Sequence, residues 1–201
     1  MIAIIIIGSA VNGNDDDTAD ANKKESKPAV TEPVKDTTAE DTTAQDNVPA
    51  DYKSALEKAH SYAETMYMSK NAIYDQLTSA SGEKFSAEAA KYAIDTLDFE
   101  IDWQANAVIK AQSYSDTMYL SKKGLYEQLT SASGEKFTAD EAQYAIDNVI
   151  ADFNNNALIK AKSYQESMSM SPAAIKEQLT SASGEKFTQA EADYAINNLN
   201  K

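Results

Sequence analysis

Gln128-Leu-Thr-Ser-Ala-Ser-Gly-Glu-Lys-Phe137 occurs three times without a change, as Gln76–Phe85, Gln128–Phe137 and Gln178–Phe187. Around each copy the same outline returns: an alanine-rich start, a tyrosine with a methionine four residues on, the block, then Tyr-Ala-Ile. Met66, Met118 and Met168 mark a first helix, and Tyr92, Tyr144 and Tyr194 mark a last one. The copies are offset by 52 and then 50 residues, so the first connection carries two extra residues. Self-similarity at this period means tandem supersecondary units stacked along the chain. The units are residues 51–103, 104–153 and 154–201.

Within a unit the pattern is helical. Ala107, Ala111, Tyr114 and Met118 fall on one face of a 3.6-residue helix, which reads as a core face. Ser121 then caps a short second helix in which Leu125 and Leu129 share a side, and Ser171-Pro172 repeats the boundary with proline at the first helical position. Gly134 is expected to end that helix in a left-handed conformation. Thr138 with Glu141 and Thr188 with Glu191 spell a capping box for a third helix, whereas Ser86 caps without a reciprocal glutamate. Phe85, Phe137 and Phe187 stand where a hydrophobic staple belongs. Thr138 to Met168 contains no glycine or proline, so the third helix of one repeat is expected to run into the first of the next, with Asn154–Asn156 as the bend. The fold class is all-α: three helix-turn-helix repeats joined by long helices, preceded by a disordered tail.

Residues 1–50 contain no aromatic side chain, while residues 51–201 hold every Tyr, Phe and Trp. Such a segment cannot bury enough apolar surface to offset chain entropy. Residues 12–50, rich in Asp, Thr, Ala and Lys, read as a flexible acidic linker. Residues 1–11, Met-Ile-Ala-Ile-Ile-Ile-Ile-Gly-Ser-Ala-Val, are apolar but only about half the ~20 residues of a spanning helix, and they lack a basic start. Two readings compete: the remnant of a longer membrane or signal segment, or a short apolar end with no targeting role. Four consecutive isoleucines beside a disordered tail have nothing to pack on, which favours the remnant.

The net charge is −14, and all eighteen basic residues are lysine. Residues 1–50 hold ten acids and four lysines, residues 51–201 twenty-two and fourteen. An acidic surface without arginine suits a basic protein partner and is a poor match for nucleic acid. The helix-turn-helix outline is no DNA reader either, because Ala139, Asp140 and Glu141 open the third helix where phosphate-binding groups would be needed. The absence of cysteine removes disulfides, thiolate catalysis and cysteine-based metal sites from this chain. Ser81-x-x-Lys84 copies a penicillin-binding motif, but glycine breaks the helix such a serine needs. His60 is alone, and Asn12–Asp17 lacks the ligand spacing of a calcium loop. No catalytic, cofactor or metal site is expected. Leu77, Gly82, Phe85 and the cap have packing or turn reasons to recur; the charged pair of each block has none if it faces solvent. Glu83, Lys84, Glu135, Lys136, Glu185 and Lys186 are therefore the candidate partner-binding residues.

The pattern Ala107…Lys110-Ala111…Tyr114…Met118-Tyr-Leu-Ser-Lys…Leu125-Tyr-Glu-Gln-Leu-Thr-Ser…Gly134-Glu-Lys-Phe-Thr…Glu141-Ala-Gln-Tyr-Ala-Ile resembles the Ltp-like host cell surface-exposed lipoproteins of Gram-positive bacteria and their prophages. The resemblance covers all three copies. It implies a membrane-anchored, surface-exposed protein of helix-turn-helix repeats, with an anchor and polar spacer ahead of them. It also implies superinfection exclusion, by hindering injection of phage DNA through the tail tape-measure protein. The chain departs from the family in having no lipobox cysteine, so its N-terminus would have to anchor it otherwise. The expected function is that of a non-enzymatic surface binding protein, a monomer at the outer face of the cytoplasmic membrane, with a basic segment of a tape-measure protein as partner. Two alternatives are an envelope protein binding wall polymer and, behind it, a DNA-binding regulator.

Overall fold

The computed structural model describes residues 47–200, which fall within one compact unit. The expectations for residues 1–11 and for most of the 12–50 linker concern residues outside the described part. The described residues are all helical: α1 (Ala50–Thr65), α2 (Lys70–Thr78), α3 (Ala87–Leu97), α4 (Trp103–Met118), α5 (Lys122–Thr130), α6 (Ala139–Asn148), α7 (Phe153–Met168), α8 (Pro172–Thr180) and α9 (Gln189–Asn198). None of these helices is long and apolar enough to cross a membrane. Three consecutive helices make one repeat. The first and third are the main packing pair, and the short second helix touches both.

Alanine sets how close that pair comes. Ala55, Ala59 and Ala63 recur every four residues on α1 and are fully buried with Ala89, Ala90 and Ala93 of α3. Side chains this small let two helix backbones approach closely, and the second helix then closes the core with Ile73 and Leu77. Ala107, Ala111, Leu125 and Leu129 repeat the arrangement in the second core, and Ala157, Ala161, Ile175 and Leu179 in the third. The expected caps are all present. Ser69, Ser121 and Ser171 accept from the backbone amide three residues on, and Thr138 and Thr188 form complete capping boxes with Glu141 and Glu191. Phe137 and Phe187 are buried in their cores beside Ala142 and Ala192; Phe85 is half-buried.

Two local expectations are corrected. The helices do not run on from repeat to repeat: α3 stops at Leu97 before α4 begins at Trp103, and α6 stops at Asn148 before α7 begins at Phe153. The breaks are made by capping rather than by glycine or proline. Asp102 and Asp152 take extended backbones and accept from the amides of Ala105 and Asn155, which starts a new helix at each place. The bend therefore precedes Asn154–Asn156, and Asn156 is buried inside the first turn of α7.

The second correction concerns Gly134. It is not the left-handed residue of its turn; Lys136 is, at φ 58°. Gly134 is needed because a β-carbon there would stand 2.4 Å from the carbonyl oxygen of Gln128, and Gly82 and Gly184 meet Gln76 and Gln178 at 2.2 and 2.3 Å. The chain doubles back so tightly that the Glu135 amide reaches the same Gln128 carbonyl at 3.1 Å.

Candidate functional site

The recurring block folds as a turn whose charged pair does two different jobs. Its glutamate points back into its own repeat. Glu83 accepts from the Tyr62 hydroxyl at 2.5 Å and pairs with Lys58 at 3.3 Å. Glu135 takes the same partners one repeat on, Tyr114 and Lys110, and Glu185 takes Tyr164 and Lys160. Lysine and tyrosine four residues apart share one face of the first helix, so a single carboxylate receives both. The expectation that these glutamates face solvent is thereby corrected: the side chains of Glu135 and Glu185 are only 13 and 14% exposed. The sequence held the missing signal, because Lys58-x-x-x-Tyr62, Lys110-x-x-x-Tyr114 and Lys160-x-x-x-Tyr164 recur in step with the block.

The clasp shows in the acid–base behaviour of its members. Burial, and then the hydrogen bond to Glu185, pushes the Tyr164 phenol up to about 12. Burial and Glu135 raise Tyr114 in the same sense. For Tyr62 the Glu83 hydrogen bond is the leading cause, with burial second, and Glu83 is correspondingly held below the usual carboxylate range by Tyr62 and Lys58.

The block lysine looks the other way, toward the preceding repeat. Lys136 donates to Asp75 on α2, and Lys186 to Glu127 on α5. Beside each pair the cap serine of the earlier repeat donates to the carbonyl of the later block's glutamate, Ser69 to Glu135 at 2.5 Å and Ser121 to Glu185 at 2.6 Å. Asn71 adds a bond to the Lys136 carbonyl at 3.0 Å. The six candidate residues are thus not gathered into one patch. Five of them hold the turn or the junction between repeats, while Lys84, with no described repeat before it, is exposed and has no ion-pair partner among the described residues.

The junctions are closed on their other side by asparagine. Asn106 donates to the carbonyls of Ala63 and Met68 at 2.9 and 3.4 Å, and Asn156 to the Ser115 hydroxyl and the Leu120 carbonyl at 2.9 and 3.1 Å. Trp103, the first residue of α4, is buried in the core of the first repeat, and its indole donates to Asp98 at 3.1 Å. Lys70 also donates to Asp98 and, with Trp103, holds that carboxyl low.

Past the asparagine the core has ended, which corrects a further expectation. Met66, Met118 and Met168 are not core contacts; they are 51, 47 and 62% exposed. Tyr67 and Tyr119 follow the first two with left-handed backbones, φ 52° and 54°. For a residue with a β-carbon that conformation costs roughly 1–2 kcal/mol, and glycine is the usual occupant of such a helix end. At the second junction Met118 and Tyr119 line a groove of about 360 Å³ together with Ile159 of α7. An adjoining hollow of the same volume shares Ile159 and Ser163 and is edged by Glu166. The equivalents at the first junction are Met66, Tyr67 and Ile109, all at least 37% exposed. Nothing in the periodicity marked these residues as exposed, since they continue the apolar stripe of the first helix by one turn.

His60 bridges Glu64 and Glu100 at 3.7 and 3.0 Å, tying α1 to the α3–α4 corner. Among the described residues no group of three or more His, Asp or Glu side chains converges as a metal site. The third helices open as the sequence suggested, with Asp140 exposed and Glu141 spent on its cap.

A family model described as host cell surface-exposed lipoprotein, Ltp, matches residues 51–97, 102–149 and 152–199. The chain is also similar to a solved structure of Ltp, a superinfection exclusion protein from the Streptococcus thermophilus temperate phage TP-J34. The two are 48% identical over 48% of this chain and 94% of that one, with a TM-score of 0.44. No curated protein matches the chain. With three tandem matches spanning most of its sequence, the chain belongs to the Ltp family of host cell surface-exposed lipoproteins, and its place is the cell surface.

Proposed function

We propose that this chain is a non-enzymatic surface protein that excludes phages by hindering entry of their DNA. In this reading it binds a basic protein segment of the kind a tail tape-measure protein would present, while its N-terminal region holds it at the outer face of the membrane. The observation that carries the reading is the family match over all three repeats. Acidity fits the partner: residues 51–201 carry twenty-two acids against fourteen lysines. Exposed charge of this kind attracts a basic segment, and the attraction weakens with salt because the screening length is about 8 Å at physiological ionic strength. Expression in a sensitive host supplies the test. Phages should adsorb normally while entry of their DNA falls; unchanged entry across a panel of phages would overturn the exclusion role.

One observation favours the wall-polymer alternative. A groove of about 350 Å³ between the second and third repeats is lined by Lys122, Lys123 and Lys186 over Tyr126 and Ile146. Lys122 lies 3.7 Å from Asp147 and Lys186 is paired with Glu127, which leaves Lys123 to meet an anionic polymer and ranks this reading second. Retention on purified cell wall, abolished by Lys123→Gln, would reverse the order.

A further inference from the structure

Two different faces meet at each junction between repeats, and each end of the described array presents one of them unmatched. The covering face belongs to the later repeat: the backbone carbonyl of the block glutamate and the lysine after it. The receiving face belongs to the earlier repeat: the cap serine and, six residues on, an acid of its second helix. Ser69 and Asp75 receive Glu135 and Lys136, and Ser121 and Glu127 receive Glu185 and Lys186. The third repeat carries the same receiving face in Ser171 and Glu177, and both are exposed. Ser171 still accepts from the Ala174 amide at 3.3 Å, but among the described residues its hydroxyl has no carbonyl to donate to. Glu177 has no ion-pair partner among them either.

The first repeat offers the covering face at the other end. Lys84 is exposed, and nothing among the described residues donates to the Glu83 carbonyl. Lys84 also keeps the left-handed backbone of its equivalents, at φ 62°. At Lys136 and Lys186 that backbone sets an ammonium on an acid of the preceding repeat. At Lys84 the same strain has no such bond to offset it, and strain persists where the surroundings give it a use. A lysine and a carbonyl at one end thus complement a carboxylate and a hydroxyl at the other.

We infer that the third repeat's receiving face docks the covering face of the first repeat of a second copy, so that chains associate head to tail. Continuity specifies the occupant: the chain makes this contact twice with itself, and the residues that make it recur at the third face. Lys84 would meet Glu177 as Lys136 meets Asp75, and Ser171 would donate to the Glu83 carbonyl as Ser69 does to that of Glu135. Because the two faces differ, every added copy offers a fresh end, and association extends along a line unless it closes into a ring. The contact between copies is weaker than those within the chain. No covalent link holds the partners at high effective concentration, and the asparagine of the seam, Asn106 and Asn156, is replaced by Ser54 in the first repeat. Association therefore suits a surface where copies are concentrated. The sequence alone points to a monomer; these faces point beyond it, and they do so independently of the exclusion role.

Sedimentation of the full chain at rising concentration supplies the test. The parent should associate, less so as salt rises. Lys84→Glu and Glu177→Lys should each weaken association about tenfold or more, since like charges then face each other, and the milder Glu177→Gln should lie between. Both residues are exposed, so helical signal and thermal midpoint at low concentration should match the parent's. An equal mixture of the two reversals should regain the parent's association, because position 84 of one chain then meets position 177 of the other with charges exchanged. Carbodiimide coupling of mixed isotope-labelled and unlabelled parent locates the contact. It joins an amine to a carboxylate as an amide with loss of water, and it should link Lys84 of one chain to Glu177 of another. The inference is overturned if the parent stays a single chain, if the reversals associate as the parent does, if their mixture fails to recover, or if that linkage forms only within a chain. A parent that stays single while Glu177→Lys alters hydrogen exchange in α8 would assign the face to residues 1–46 of the same chain instead.

Discussion

Single residues in the recurring turn have separable roles. Lys84, Lys136 and Lys186 share a left-handed backbone, but only the second and third earn an ion pair from it. Lys84→Gly should therefore stabilise the chain by about 0.5–1 kcal/mol, relief of backbone strain less the entropy of a freer unfolded chain. Lys136→Gly should gain less or lose, because it also gives up Asp75; thermal unfolding of the two variants side by side checks this. The tyrosine of the clasp predicts an alkaline limit. Tyr164 titrates at about 12 when folded, whereas a free tyrosine titrates near 10. Its contribution is fully present below pH ~10 and is lost as pH rises toward 12, because the unfolded chain releases the proton first. Ultraviolet titration should show a late-ionising phenol that disappears in Tyr164→Phe, and that variant should show a shallower alkaline loss of stability. Glu83 works in the opposite direction: its lowered value means stability present at neutral pH and lost as pH falls through the folded value.

At the level of elements, the turn and the junction should fail differently. Gly134→Ala places a β-carbon against a backbone carbonyl that cannot swing away, so it should cost about 1–3 kcal/mol, with Gly184→Ala matching it. Asn106→Ala leaves the Ala63 and Met68 carbonyls without their donor at a buried seam, a loss of about 1–3 kcal/mol. Calorimetry distinguishes the two: the glycine change should melt a repeat, whereas the asparagine change should broaden the transition by uncoupling two. Much of this was legible in advance, because caps, leucine pairs and alanine spacing act locally and leave local marks. The clasp was not, since its glutamate lies twenty-one residues from its tyrosine and exposed charge is the ordinary expectation for a Glu-Lys pair. The helix breaks at Asp102 and Asp152 were missed for a different reason. Aspartate interrupts a helix only when the chain around it turns, and composition alone does not show that.

Across the whole molecule, each repeat completes the one before it. Ser69 and Ser121 are 1% exposed because the following turn covers them, while Ser171, with no described repeat beyond it, is exposed. Stability in such an array is a sum of repeat and neighbour terms, so Leu179→Ala should unfold mainly the last repeat and Leu129→Ala should weaken both junctions. Hydrogen exchange resolved along the chain checks this, the first variant leaving α1–α3 protected. The burial of Trp103 has a consequence for the chain as a covalent object. Phe99, four residues before it, is 93% exposed on the α3–α4 corner, and the other corner offers Ile150 at 87% in its place. Chymotrypsin prefers aromatic residues and should cut the native chain first after Phe99. The severed backbone should hardly matter: Trp103 would stay plugged into the first core, Asn106 would still grip α1, and Lys136 would still hold Asp75. Two fragments should appear on a denaturing gel and a single particle on a sizing column, a protein nicked in two that does not come apart.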